Sequence, residues 1–394
     1  MRSFLGIALL VVSASWATSA EPPLVEKYLH TGNLAGGEQA LVLALEKSPK
    51  DDQVRFGLGV LRFVRAVERF GQSLYEYGAS SENTSIPFLR LPVPKNDSPV
   101  AISYPALGRM FDVFLADLDA AEKTLAGVTD DHVKLPLRLA DIKLDLDADR
   151  KPTDRLLDIL IALNGRQRFD FLAKNKDFLV SFDRGDVAWL RAYCHLISAI
   201  IEGYRALDLE VEFENRVKEV FPKVHTRKTN KPELDSNQVA VAEPARLGNL
   251  RKHLLAVCEL NRETWKFIRA EKDDDHEWLP NPKQTAVLGL RVREQMIDRW
   301  LAMIDQLEGL LKGERVIPNW ILRFLNPDAP AGTGLYVKAW LDDPPAVVNL
   351  GPHTIDKKYL SAETDKNLFD IGVLINVWNA FDNPLSLEYM AWFN

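Results

Sequence analysis

Apolar residues along this chain recur mostly at three- and four-residue steps, the spacing of a helix that buries one face. After Pro105, the stripe Leu107, Met110, Phe111, Phe114, Leu118 and Leu125 predicts a helix running to Gly127. Pro105 suits its first turn, where the missing N–H costs nothing. Residues 185–207 are apolar nearly all round, through Val187, Leu190, Tyr193, Cys194, Ile197, Ile200, Ile201 and Tyr204, which predicts a buried central helix. Two further long helices fit 245–271 and 291–312; the second carries Val292, Met296, Ile297, Trp300, Leu301, Ile304, Leu307 and Leu311, and Gly313 closes it. Shorter helices are expected over 132–143 and 154–164, the latter capped by Thr153 and stopped by Gly165.

The pattern breaks in three places. Pro87, Pro92, Pro94, Pro99 and Pro105 forbid a continuous helix and mark a linker. Residues 222–243, with Lys223, Arg227, Lys228 and Lys231 among polar residues, read as an exposed loop. Beyond Gly313, Leu335 to Leu341 alternates like a short strand, Val347-Val348 suggests another, and 361–382 a last helix. Apolar Tyr389, Met390, Trp392 and Phe393 close the chain, and so apolar an end is expected to dock.

Residues 21–79 predict a helical hairpin followed by a long helix. Tyr28, Gly32, Gly37, Leu41, Ala44 and Pro49 stand at the spacing of a helix, tight turn, second helix and stop, and Leu58-Gly59 follows where a next unit would begin. The segment from Tyr28 to Lys50 resembles a tetratricopeptide repeat. That resemblance implies paired helices that approach closely over small residues and need a neighbour to cover their open face. It fades at Arg62, where an apolar residue is expected.

The start of the chain adds an address. Arg2, the apolar run Phe4 to Val12 and the small residues Thr18-Ser19-Ala20 have the layout of a secretory signal peptide cleaved after Ala20. The run is far shorter than the roughly twenty residues a membrane span needs, so the expected location is secreted or periplasmic, with no span after cleavage. Hydrophobic content of 46% fits a folded protein. A net charge of −7 argues against a general nucleic-acid binder, because phosphate neutralisation needs clustered Lys and Arg. Cys194 and Cys258, the two cysteines, both fall on apolar helix faces and read as buried thiols, with one disulfide between them as the alternative.

Nucleophile elbows, Walker loops, dinucleotide fingerprints and zinc-protease helices are absent from the sequence. The sharpest constellation is Asp145-Leu-Asp147-Ala-Asp149, whose alternate carboxylates can converge on calcium, with Asp154 as a further ligand. Arg150, Pro152 and Leu156 stand where an EF-hand has its glycine, an ordinary loop residue and its bidentate glutamate, so the sharp turn and that ligand are expected to be lost. The alternative is a solvated acidic turn. Asp183, Asp186, Arg191 and His195 form a candidate polar cluster on the central helix; equally, Asp183 and Asp186 make a capping box and His195 a bonded core histidine. Asp273-Asp-Asp-His-Glu277 concentrates oxygen and imidazole ligands, but such runs are commonly hydrated helix ends. Trp278, Trp300, Trp320 and Trp340 read better as packing than as a carbohydrate groove.

Three stretches, Leu61 to Gly71, Phe182 to Leu196 and Asp274 to Pro282, are similar to an uncharacterised family of exported bacterial proteins. The resemblance implies export and helical architecture and no activity. Its members often carry glycine after the third aspartate of the acidic loop, from which Arg150 departs. The expectation is a mainly α protein of stacked helical hairpins: signal peptide 1–20, repeat-like hairpin 21–79, helical core 80–313 and a small mixed α/β region 314–394. Its expected role is binding or scaffolding of a protein or peptide partner. The alternative is a calcium-dependent enzyme centred on Asp145–Asp149 and the start of the 185–207 helix.

Overall fold

Side-chain caps mark where three of the long helices begin. In the computed structural model, which describes residues 21–80, 87–164, 166–225, 234–287, 289, 291–381 and 393, the protein is mainly helical, with small two-stranded sheets. The expected signal peptide, the basic residues Arg227, Lys228 and Lys231, and Tyr389, Met390 and Trp392 lie outside those residues.

Helices α1 (Glu26–Thr31) and α2 (Leu34–Lys47) turn on Gly32, whose φ of +66° suits glycine. A Cβ on Gly37 would meet Tyr28 Cβ at 2.7 Å and Leu61 Cδ1 at 2.6 Å, so glycine is what lets these helices close. Helix α3 (Asp52–Glu76) opens where the Asp51 side chain accepts from Val54 N, and α4 (Tyr104–Ala126) where Ser103 accepts from Ala106 N. Between them Pro87–Arg90 forms one 3-10 turn and the rest of the linker is extended. Phe70 of α3 stacks on Phe114 of α4, ring centroids 4.6 Å apart.

The expected helix over 132–143 is absent. Strand β1 (Leu135–Leu137), a 3-10 turn at Leu139–Asp141 and β2 (Lys143–Leu144) stand there instead. Pro136 falls where an interior helix would need its N–H. Val133, Leu135, Leu137 and Leu139 are all buried at two-residue steps, the period of a strand. Strand β3 (Asp154–Arg155) pairs with β2, so Thr153 caps nothing and α5 begins later (Leu156–Asn164), followed by α6 (Arg166–Lys174). Strand β4 (Val180–Phe182) pairs antiparallel with β1 and leads into α7 (Arg184–Ala206), the buried central helix.

After α8 (Glu210–Arg216) and β5 (Gln238–Ala240) come α9 (Ala245–Ala270) and α10 (Glu294–Lys312), which ends on Gly313 at φ +79°. The long helices pack in chain order: α3 on α4, α4 on α7, α7 on α9, α9 on α10. The C-terminal region is mixed, as expected, with α11 (Asn319–Leu325), β6 (Thr333–Leu335), α12 (Val337–Asp342), β7 (Val347–Asn349), β8 (Leu360–Ala362) and α13 (Gly372–Ala380). The expected strand over 335–341 is mostly helix, because Val337, Trp340 and Leu341 pack at helical spacing on the core. The expected helix over 361–382 is confined to α13. Pairing of β7 with β5 and of α13 with α10 ties this region to the helical core. Phe393 is buried against Trp265, centroids 4.4 Å apart, and Asn261 of α9 donates to its carbonyl while accepting from Trp300 Nε1 at 2.8 Å. No described helix is long and apolar enough to cross a membrane.

Candidate functional site

Three polar constellations stand out against this apolar framework. The first is the acidic loop between β2 and β3. Asp145, Asp147 and Asp149 each bring an oxygen within 4.8 Å of the other two. The backbone wraps the Asp145 carboxylate, which accepts from Asp149 N at 3.1 Å and Arg150 N at 3.0 Å, while Asp154 accepts from Leu146 N at 2.9 Å. The sharp turn that Arg150 was expected to forfeit is made after all: Arg150 has φ +68° and Ala148 +58°, left-handed values that favour glycine. Tertiary contacts hold it there. Glu68 of α3 accepts from Asp145 N at 2.9 Å, Gln72 donates to Asp145 O at 2.8 Å, and Pro152 seats on the Gly32 turn. Glu68 is the ligand-type residue that sequence reasoning missed. Its signal was a glutamate at the helical spacing of Leu61 and Val64, inside an apolar stripe. Burial, with the Asp145 and Asp154 charges beside it, pushes Glu68 up to about 7. Burial likewise raises Asp145 and Asp154 above the ordinary aspartate range.

The candidate polar cluster on α7 divides in two. Asp183 and His195 are twelve residues apart, about 18 Å along a helix, and they face different neighbours. At the start of α7 the capping box forms: Asp183 accepts from Gly185 N at 2.8 Å, and Asp186 Oδ2 accepts from Asp183 N at 3.0 Å. Glu271, just beyond α9, and Glu277 join them, so that Asp183, Glu271 and Glu277 also bring oxygens within 4.8 Å of one another. This group is separate from the acidic loop. Of the Asp273–Glu277 run only Glu277 turns inward; Asp273 and Asp275 bind Lys134, Asp274 accepts from Thr285 N, and His276 stacks on Phe178. Trp278 and Trp300 are buried at different places and Trp320 is exposed, so the tryptophans form no common groove.

Farther along α7, Arg191 and His195 meet Glu122 of α4 and His253 of α9. Arg191 lies 2.9 Å and His195 Nε2 3.6 Å from Glu122 Oε1, and His195 Nδ1 is 2.9 Å from His253 Nδ1. Glu122, His195 and His253 line a cleft of about 270 Å³ with Ser198, Glu202, Leu115 and Leu118. Against the upward push of burial, the His195 and Arg191 bonds hold Glu122 below its ordinary value. His253 is lowered by burial and by His195, which keeps it neutral at pH 7. One proton lies between the two facing Nδ1 atoms, so His195 and His253 are joined as donor and acceptor while His195 Nε2 faces Glu122. Cys194 also lines the cleft, but it is buried and free, as is Cys258, and burial drives its thiol far above the range of a reactive thiolate. The cleft lies between α4, α7 and α9 rather than beside the repeat-like hairpin.

Comparison with known proteins returns no match of any kind: no family model, no curated protein and no solved structure is similar to this chain.

Proposed function

We propose that the protein is an exported helical binding protein, and that the cleft between α4, α7 and α9 takes one hydrogen-bonding side chain, a hydroxyl or an amine, of a peptide partner. The observation that carries this is the Glu122–His195–His253 chain, which brings two imidazoles to an open cavity lined also by Leu115 and Leu118. Binding is favoured over catalysis because the thiol in the cleft is held protonated. Charge does not select the ligand: Arg191 pairs with Glu122, Arg246 with Glu202 and Lys123 with Asp119. Export rests on the Arg2, Phe4–Val12 and Thr18–Ala20 pattern. The test is titration with tripeptides centred on Ser, Lys or Ala, read by NMR of the histidine rings. Ser or Lys peptides should bind saturably, and Ala116→Trp at the exposed rim should block them. Equal binding of all three peptides, or an indifferent Ala116→Trp, overturns the reading.

Calcium in the acidic loop belongs to the same proposal as a stabilising ion. Its support is the gathering of Glu68 and Asp154 around Asp145, Asp147 and Asp149 in a glycine-like turn. Millimolar calcium should raise the melting temperature by several degrees over EDTA and do nothing for Asp147→Ala; no rise in the parent protein reduces the loop to a solvated turn.

A further inference from the structure

The four carboxylates at the start of α7 present a charge problem that their hydrogen bonds do not solve. Asp183, Asp186 and Glu277 are 6%, 4% and 1% exposed, and Glu271 is half-buried beside them. The capping box uses Asp183 Oδ1 and Asp186 Oδ2. Asp186 Oδ1 is fully buried with no hydrogen-bond partner, on a side chain that feels the Asp183 and Glu277 charges most strongly among its neighbours. Glu271 Oε1 is buried with no N–H or O–H donor to it, and the Glu271 side chain faces the Asp183 carboxyl; its other oxygen accepts from Gln284 at 3.0 Å. One cation, Lys134, acts on the group, and its ammonium is already bonded to Asp273 and Asp275 on the rim. Arg184, next in sequence, turns away to Glu263 and the Phe267 ring.

Four carboxylates, three of them buried, facing a shared ammonium are stable in two ways: they keep protons, or they close on a cation. We propose that Asp183, Glu271 and Glu277, with Asp186 beside them, form the site of a single oxygen-ligated divalent cation of the Mg²⁺, Mn²⁺ or Ca²⁺ class, linking the start of α7 to the end of α9 and the segment after it. Two ligands on one ion are separated by at most twice the metal–oxygen distance, about 4–5 Å for these ions, and the oxygens of Asp183, Glu271 and Glu277 lie within 4.8 Å of one another. The buried, unpaired Asp186 Oδ1 adds its negative charge next to Asp183 and Glu277. An all-carboxylate donor set selects a hard ion over zinc or copper. The site is independent of the cleft and of the acidic loop.

The test uses the full chain carrying Asp147→Ala, which removes the acidic loop as a competitor, and Mn²⁺ as the probe. Calorimetry and Mn²⁺ electron paramagnetic resonance at pH 7.5 should find one bound ion per chain. Affinity should fall at least tenfold at pH 5.5, and also when Glu271→Gln and Glu277→Gln are added. Unchanged binding in that variant, or no saturable binding in its parent, overturns the proposal. Should the variant not fold, Glu271→Gln alone, at the half-buried ligand, decides: a Mn²⁺ affinity lowered at least tenfold supports the site, and an unchanged affinity overturns it.

Discussion

Gly32→Ala probes the contact between the N-terminal hairpin and the acidic loop. The added Cβ would stand 2.2 Å from Pro152 Cβ, 2.5 Å from Pro152 Cγ and 3.4 Å from Lys143 O. A proline ring has no rotamer to escape into, so the backbone of one segment must shift, which costs about 1–3 kcal/mol. The φ of +66° adds about 1–2 kcal/mol for any L residue. Stiffening of the unfolded chain returns only about 0.4–1 kcal/mol. The net expectation is a loss of about 2–4 kcal/mol, read from urea unfolding by tryptophan fluorescence and circular dichroism. Gly248→Ala is the control: it sits inside α9 with nothing within 4 Å of its Cβ, so it should stabilise by about 0.5–1 kcal/mol. Combining Gly32→Ala with Pro152→Gly, which removes the Cβ as well as the ring, separates the two costs, since the steric part should vanish in the double variant and leave about 1–2 kcal/mol of left-handed strain. Gly32→Ala within about 0.5 kcal/mol of the parent, or a double variant in which the losses simply add, refutes the packing of that turn on Pro152.

Stability should also depend on pH in a particular direction. Glu68 and Glu277 hold their protons to about 7 in the fold but lose them near 4.5 when unfolded, so between those values the folded state binds more protons and stability falls as pH rises. Each shift corresponds to about 1–3 kcal/mol; a urea midpoint with EDTA higher at pH 8 than at pH 5.5 would contradict this, and Glu68→Gln should flatten the slope. Cys194 and Cys258 are both buried, and burial pushes Cys258 up to about 11, so native protein should react with Ellman's reagent only on unfolding, when two thiols appear. Asn261→Ala orphans both the Trp300 indole N–H and the Phe393 carbonyl, and should cost about 2–4 kcal/mol in urea unfolding.

What could be read in advance followed from whether the information was local. The stripes of α4, α7, α9 and α10 are periodic over more than five turns each, so their existence and burial were legible within a residue or three at the ends. The capping box at Asp183 and Asp186 was equally local. Short elements failed where two periods compete. Val133 to Leu139 satisfies a strand by alternation, and Pro136 decides the matter only once its lost N–H is counted. The sites failed for a different reason: each is completed from far along the chain. Glu68 reaches Asp145 from α3, Glu271 and Glu277 reach Asp183 from beyond α9, and Glu122 and His253 reach His195 from two other helices. A trace of this was present, since Glu68 and Glu122 each interrupt an apolar stripe at helical spacing, and a charge there has to be paired or titrated.

Charge matching separates the three constellations. In the cleft every carboxylate has its own cation: Arg191 for Glu122, Arg246 for Glu202, Lys123 for Asp119. Little free charge remains to attract an ion, and specificity there falls to hydrogen bonding with the two imidazoles. Around Asp145 and around Asp183 the carboxylates outnumber the cations, and their protons are held above the ordinary range at Glu68, Asp145 and Asp154, and at Asp186, Glu271 and Glu277. Such groups weaken the fold as pH rises unless a cation relieves them. Arg150 sharpens the point at the loop. A non-glycine residue at φ +68° costs about 1–2 kcal/mol, and the turn persists because Glu68, Gln72 and Asp154 fix the backbone on both sides of it. Arg150→Gly should therefore stabilise the metal-free protein without altering the loop, and strengthen calcium binding only to the extent that removing a positive charge beside the carboxylates does so.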